Sequence, residues 1–383
     1  MTYSWSDIAK VFCLLIVFLL LTWYLISNVQ KRGYRLNWLK WLLLNGWFFA
    51  VLIVGGEAVC KLLIKVRPSG SSVTTSTRET GGVKKLHLEN DLLGYVMKPD
   101  TSVTSVLIWG NDTVWKARYA TDAYGRRRVP LSADSSRTGT ILMFGCSVTF
   151  GSGLNDDETL PYFLGLNMKD YQVYNYADMG YGTQQMLAIL EKTDLHTQVS
   201  LSSEPPVLVY VFIDPHIERN IGSMYVYNKW GSNMPYYERS SDGIPVRKGS
   251  FRTGRKGRSY FYHILGKSNI ARFLNINEIH KVNHDDYIFT ADLIARARDL
   301  FKERYGSDRF YVMIAAASLR DPTFPDELKA RNIRYFRYED RLEGNRADYE
   351  FPHDGHPNRK WTEAIAGFLA ADLKQELKHA DSP

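Results

Sequence analysis

From Gly139 onward the chain alternates between short apolar runs and longer mixed stretches. Ile141–Phe144, Val173–Tyr176, Val207–Ile213, Phe310–Ala316 and Ile333–Tyr338 have strand length. Helical stretches fall near Glu158–Leu166, Thr183–Thr193 and Ala291–Tyr305, with a last one at Lys360–Leu377. Strand and helix alternating in this way predict a parallel sheet covered on both faces, a three-layer α/β/α sandwich over residues 139–383. Right-handed crossovers then bring all strand C-termini to one edge, where open α/β folds place their chemistry. Residues 220–284 interrupt the rhythm with Tyr, Gly and Arg and read as an insertion, with a hairpin expected over Pro235–Tyr262.

Upstream the pattern differs. Residues 84–138 read as a small β-rich lead-in, with strands at Val103–Trp109 and Thr113–Thr121 around the turn residues Gly110-Asn111-Asp112. Residues 68–83 are small and polar and read as a flexible linker. Residues 1–67 read as a membrane anchor. Val11–Val29 carries no charge and is long enough to cross a hydrocarbon core of about 30 Å. A second apolar run at 41–60 contains only Glu57 among charged residues, expected either solvated at the interface or functional within the membrane. Lys31, Arg32, Arg35 and Lys40 lie between the two runs, which places that loop in the cytoplasm and both termini outside. Lys61, Lys65 and Arg67 pull the other way. The first run lacks a small-x-small cleavage site, so two retained transmembrane helices are expected rather than a signal peptide.

The formal charge of +7 changes meaning once located. Residues 1–67 hold eight basic against two acidic residues, leaving forty against thirty-nine in the rest. The basic excess belongs to the anchor, and nucleic-acid binding loses its main support. The three cysteines, Cys13, Cys60 and Cys146, have no pairing pattern or metal spacing. A basic cluster with interleaved aromatics, Arg247 to Arg258, reads either as a solvated insertion loop or as a contact for anionic glycan or lipid headgroups.

The candidate chemistry starts where the first core strand ends. In Gly145-Cys146-Ser147-Val148-Thr149-Phe150-Gly151 an apolar run stops at a glycine, and small residues let the backbone turn and present a serine at the sheet edge. Near the other end, His353-Asp354-Gly355-His356-Pro357 offers a base and a carboxylate just before the last helix. His356 is the candidate base for Ser147, with Asp354 to orient it. A solvated turn or a metal clip would use the same residue types, but no carboxylate or cysteine stands at ligand spacing.

These two segments resemble blocks I and V of the SGNH (GDSL-type) hydrolases, whose first block reads Gly-Asp-Ser-Leu-Thr-x-Gly. Ser147, Thr149 and Gly151 match, and Cys146 replaces the usual aspartate. In block V the family's aspartate stands three residues before the histidine; here that position is His353, and Asp354 stands two before. Asn175 to Gln185 resembles block II, where a glycine supplies an oxyanion N–H, and Gly180 and Gly182 both qualify. Asp178 beside them reads equally as a helix cap. Block III, Gly-x-Asn-Asp, is absent after the third strand, where the chain reads Asp214-Pro215-His216-Ile217-Glu218-Arg219-Asn220; His216 or Asn220 stands as the replacement. Leu93–Pro99 and Thr121–Arg126 look like the segments that precede block I in bacterial membrane-associated members.

The resemblance runs from about Leu92 to Leu377. It implies a membrane-anchored serine esterase or O-acyltransferase of the bacterial cytoplasmic membrane, its catalytic domain outside the cytoplasm. The substrate would be an ester-bearing glycan or a lipid-linked molecule, processed through an acyl-serine without metal or organic cofactor. Two other readings use the same residues. One is a catalytically silent binding or scaffold protein of a cell-surface polysaccharide system, which the missing block III would suit. The other is a cysteine enzyme through Cys146, disfavoured because adjacent side chains cannot both face the site. The oligomeric state and the acyl group stay open.

Overall fold

The computed structural model describes residues 37–66, 77–131, 137–199, 204–315 and 319–380, together with Ile16, Leu20, Trp23, Tyr24 and Ser27. The chain divides into two compact units, one of residues 1–71 with 267–276, the other of residues 72–266 with 277–383.

The smaller unit is built on the helix Asn37–Val66. Its apolar span Trp41–Ile64 has 24 residues, about 36 Å at the helical rise and longer than a hydrocarbon core. Trp41, Phe48, Phe49, Leu52, Ile53 and Leu62 are exposed, so much of this helix's apolar surface is left uncovered by the described residues. The expected span at 41–60 falls on it. The other expected span, 11–29, lies outside the described residues apart from the five single positions. Glu57 is half-buried and has defined partners. Its carboxylate accepts from the Ser268 hydroxyl and, at 2.6 Å, from the Asn269 N–H, satisfying the start of the short helix Asn269–Phe273. A side chain at Gly56 would stand 3.1 Å from the Ile270 side chain, so the small residue lets this helix approach.

The larger unit opens with strands β1 (Thr77–Gly81), β2 (His87–Asn90), β3 (Gly94–Met97), β4 (Ser102–Trp109) and β5 (Asp112–Ala120). They form two antiparallel sheets, β1-β4-β5 and β2-β3. The linker expected over 68–83 is corrected here, because its last residues are ordered as β1. Thr77 to Gly81 pair with Trp109 to Ser105, covering the edge that β4 would otherwise leave open.

The core strands are β6 (Gly139–Phe144), β7 (Tyr171–Asn175) and β8 (Val207–Phe212); the insertion adds β9 (Pro235–Arg239) and β10 (Pro245–Ser250); β11 (Phe310–Ile314) and β12 (Arg334–Arg337) complete the core. The main sheet runs β7-β6-β8-β11-β12, and every neighbouring pair is parallel. Alternate residues feed opposite faces. Leu142, Phe144, Leu208, Tyr210, Phe212, Val312 and Ile314 pack under the helices Thr183–Lys192 and His284–Tyr305. Ile141, Met143, Val209, Val211, Tyr311 and Met313 pack under Leu160–Asn167 and Arg359–Ala380. The sandwich is therefore α/β/α. β7 lies on one side of β6 and β8 on the other, so the connections diverge at the C-terminal end of β6, the switch point where such sheets open a crevice.

Within the insertion, the hairpin expected over Pro235–Tyr262 is shorter than its sequence suggests. It ends at Ser250, whose hydroxyl caps the turn Phe251–Gly254, and the helix Lys256–Lys267 follows. Phe251, Arg255, Ser259 and Tyr262 are buried at a spacing of three to four, which is a helical face and no strand pattern. The basic cluster is partly structural. Arg255 donates to the carbonyls of Ile221, at 2.7 Å, and Gly222, with its guanidinium 4.4 Å from the Phe251 ring centre. Arg247 donates to the carbonyls of Asp91 and Leu92 at 3.1 and 2.9 Å.

Candidate active site

β6 delivers Ser147 to the switch point. The chain leaves Phe144 through Gly145, where a side chain would meet the Thr149 hydroxyl at 2.2 Å, so only glycine allows the turn. The short helix Ser147–Phe150 follows, with Ser147 at its first position. Its backbone N–H therefore has no partner within the helix. Cys146, the neighbouring residue, is fully buried and packs in the core, which leaves the serine as the group facing the crevice.

The turn is clamped by a residue the sequence did not single out. Arg127 is 1% exposed and donates to the carbonyls of Phe150, Gly151 and Leu154 at 2.9, 2.8 and 2.6 Å. Its Nε pairs with Asp156 at 3.0 Å, and its guanidinium lies 4.3 and 4.5 Å from the ring centres of Tyr119 and Phe150. Burial lowers its pKa from the ordinary arginine value, and Asp156 opposes that shift.

His356 reaches Ser147 from the loop before the last helix. Its Nε2 stands 2.9 Å from Ser147 Oγ, and its Nδ1 is bonded to Asp354 Oδ2. The same carboxylate oxygen accepts the His356 backbone N–H at 3.1 Å. A left-handed residue at His353 (φ +63°) and another at Gly355 (φ +83°) tighten the loop, which lets an aspartate two positions before the histidine make this contact. His353, at the family's usual aspartate position, instead stacks flat on Trp109 of β4, ring centres 4.5 Å apart.

Of the four oxyanion candidates, only Gly180 lines the cavity that holds Ser147, a space of about 550 Å³. Tyr95 donates to the Met179 carbonyl at 2.6 Å, which fixes the Met179–Gly180 peptide, and the Gly180 N–H has no acceptor among the described residues. Gly180 has φ +83°, and a side chain there would meet Tyr95 Oη at 2.6 Å and Trp230 Nε1 at 2.8 Å. Gly182 spends its N–H on Gln185 Oε1 at 2.8 Å.

His216 and Asn220 are placed elsewhere, in a buried polar chain under the sheet. Asn220 Nδ2 donates to Thr183 Oγ1 at 2.9 Å, Thr183 bonds Tyr210 Oη at 2.8 Å, and Tyr210 Oη bonds His216 Nδ1 at 2.7 Å. Burial, with Arg219 nearby, holds the His216 pKa well below its ordinary value and keeps the ring neutral. Its Nε2 has no partner among the described residues.

The cavity wall includes further residues that sequence patterns did not mark: His87, Tyr95, Leu107, Trp115, Arg219 and Trp230. Asp178 caps no helix; it accepts from Met179 N–H at 2.7 Å and pairs with His87 Nε2 at 2.8 Å. Burial raises its pKa, and the His87 bond opposes that. The β-rich lead-in thus supplies one side of the cavity through Leu107 and Trp115, the latter edge-on to His356. Its contribution had no signal in sequence beyond apolar positions on two strands.

Fold and site together define a class: a three-layer α/β/α protein with a serine, histidine and aspartate joined at the switch point of its sheet. Structural neighbours of the chain include esterases of the SGNH/GDSL kind. An acetyl xylan esterase from the rumen bacterium Butyrivibrio proteoclasticus is 12% identical, with 66% of this chain and 67% of that chain covered and a TM-score of 0.36. A lipolytic G-D-S-L family member from Veillonella parvula is 14% identical, over 61% of this chain and 96% of that one, with a TM-score of 0.31. A carbohydrate esterase whose active site displays divergent catalytic and non-catalytic binding functions is 13% identical, over 73% and 74%, with a TM-score of 0.33. At these values the chemistry has to be argued from the site itself. No family model and no curated protein matches the sequence.

Proposed function

We propose that the chain is a serine esterase or O-acyltransferase that works through an acyl-Ser147 intermediate. The observation that carries this reading is the line Ser147 Oγ to His356 Nε2 at 2.9 Å, continued from His356 Nδ1 to Asp354. Ser147 Oγ attacks the ester carbonyl while His356 takes its proton. Asp354 holds the ring in the required tautomer and stabilises its positive form. The Ser147 and Gly180 N–H groups receive the developing oxyanion. His356 returns the proton to the departing alcohol oxygen. A water, or a sugar hydroxyl in the transferase case, then adds to the acyl group with the same histidine as base. No step draws on a metal or cofactor.

The apolar helix Asn37–Val66 supports a membrane anchor, completed by a second span at 11–29 and holding the larger unit outside the cytoplasm. An enzyme tethered in this way meets glycans and lipid-linked molecules at the membrane more often than diffusing metabolites. The test is labelling of the full chain in detergent with a fluorophosphonate. Wild type labels and Ser147→Ala does not; labelling that survives in Ser147→Ala, or fails in the folded wild type, overturns the reading. A reporter fused after Pro383 that is active only in the cytoplasm overturns the outward orientation.

A further inference from the structure

The cavity around Ser147 contains five ionisable side chains, and four of them are accounted for within the protein. Asp354 and His356 hold each other, His87 holds Asp178 from the next layer, and Tyr95 donates to the Met179 carbonyl. The fifth is Arg219. It is half-buried and lines the cavity, and its guanidinium donates from Nη1 to the Tyr181 carbonyl at 2.7 Å. The acidic residues closest to it in sequence, Asp214 and Glu218, are both taken by Arg320. No carboxylate pairs with Arg219 among the described residues.

A partly desolvated guanidinium without a counter-charge is costly, and one anchored by a single backbone carbonyl keeps its remaining N–H groups in a fixed fork. That fork matches a carboxylate or a phosphate. Trp230 and Tyr95 stand at the same wall beside Gly180 and offer flat apolar surface next to the charge. The combination suits a sugar ring carrying an anionic group.

From this arrangement we infer that Arg219 forms an anion subsite, and that the substrate is an acyl ester of an anionic glycan, its carboxylate or phosphate gripped by the guanidinium while the ester carbonyl sits at Ser147. The inference rests on the acyl-serine reading and narrows its substrate class. Arg219 acts by binding, and it takes no part in proton transfer.

The experiment compares matched acetyl esters of a neutral methyl hexoside, a methyl hexuronide and a hexose phosphate, using the full chain in detergent. Wild type is expected to favour at least one anionic ester over the neutral one by roughly tenfold or more in kcat/KM. The better of the two anionic arms identifies carboxylate or phosphate. In Arg219→Met that ratio falls towards one, chiefly through KM, and Arg219→Lys recovers part of it. Labelling of each variant with a neutral fluorophosphonate reports whether the site is still folded. Absence of an anionic preference in a wild type that labels overturns the subsite alone. So does a Met variant that loses the same factor on all three esters, since that marks an oxyanion donor. A wild type that does not label overturns the acyl-serine reading and the subsite with it.

Discussion

Arg127 touches Phe150 twice: Nη1 donates to the Phe150 carbonyl at 2.9 Å, and the guanidinium lies 4.5 Å from the centre of the Phe150 ring. One side chain therefore holds both the backbone and the ring of the residue that ends the serine turn. Arg127→Met leaves several buried carbonyls unpartnered and takes the counter-charge from the half-buried Asp156, which keeps the Ala120 N–H. A loss of about 3 kcal/mol or more in stability is expected, as for one half of a broken buried pair. Arg127→Lys should recover little, because an ammonium cannot reach three carbonyls from one plane. Thermal melting, with fluorophosphonate labelling of Ser147, checks both.

The three residues at the crevice should behave as one unit. Ser147→Ala is expected to abolish ester turnover, and His356→Asn to lower kcat by on the order of 10⁴ or more. Asp354→Asn should cost about 10⁴ through the wrong histidine tautomer while leaving the fold intact. His353→Ala, which removes only a ring stacked on Trp109, should cost far less. Steady-state hydrolysis of a p-nitrophenyl ester separates these outcomes, and equal losses at His353 and Asp354 would refute the assignment of the carboxylate.

Gly180 should tolerate no side chain. Its φ of +83° and the 2.6 Å approach of the Tyr95 hydroxyl force the loop to move when a methyl is added. Gly180→Ala is expected to lower kcat by about 10²-fold with a smaller change in KM, the signature of a lost oxyanion donor. Gly182→Ala serves as the comparison: its N–H is occupied by Gln185, so its cost falls on stability instead.

His216 makes stability depend on pH. Burial holds its folded pKa below the unfolded value of about 6.5, so the unfolded chain binds a proton that the folded chain refuses. Its contribution is present above that value and is lost as the pH falls below it, at a slope of up to about 1.4 kcal/mol per pH unit. His216→Gln should be less stable near neutrality, by about 1 kcal/mol for the Tyr210 bond, yet decline less steeply on acidification. Melting temperatures between about pH 7.5 and about pH 5 give the two slopes; parallel slopes would reject the account.

Glu57→Ala should loosen the segment around Asn269–Phe273. The carboxylate satisfies the Ser268 hydroxyl and the Asn269 N–H, a capping interaction of about 1–2 kcal/mol. Faster amide exchange at 268–271, with the rest of the chain unchanged, is the expected readout.

Much of the core was legible because its signals are local. Runs such as Val207–Phe212 and the amphipathic stretches around them announced the sheet and its helices, and Ser147 and His356 stood at the strand end and the loop where chemistry was expected. The oxyanion donors were less legible. Gly180 and Gly182 are two residues apart with the same composition around them, and only the Gln185 side chain, folding back onto Gly182, distinguishes them. His216 and Asn220 looked available because sequence shows residue type and not direction; Tyr210, on the strand just before them, and Thr183, at a helix start, take up their polar atoms. Arg127, His87 and Arg219 had no motif at all.

What the sequence by itself determined is therefore the periodic and the contiguous: apolar helix, strand and helix alternation, a glycine turn bearing a serine, a histidine before the final helix. These depend on neighbours a few positions apart, where covalent geometry and side-chain period fix the outcome. Tertiary structure decided which carboxylate serves His356, which glycine N–H opens to the cavity and which arginine is left without a counter-charge. Asp354 and Gln185 are near their partners in sequence, but distant residues hold the loops around them: Trp109 stacks on His353, Tyr95 holds the Met179 carbonyl, and Arg320 takes Asp214 from 106 positions away. Their contact exists only after the sheet has closed, because only then does desolvation make an unpaired polar group costly.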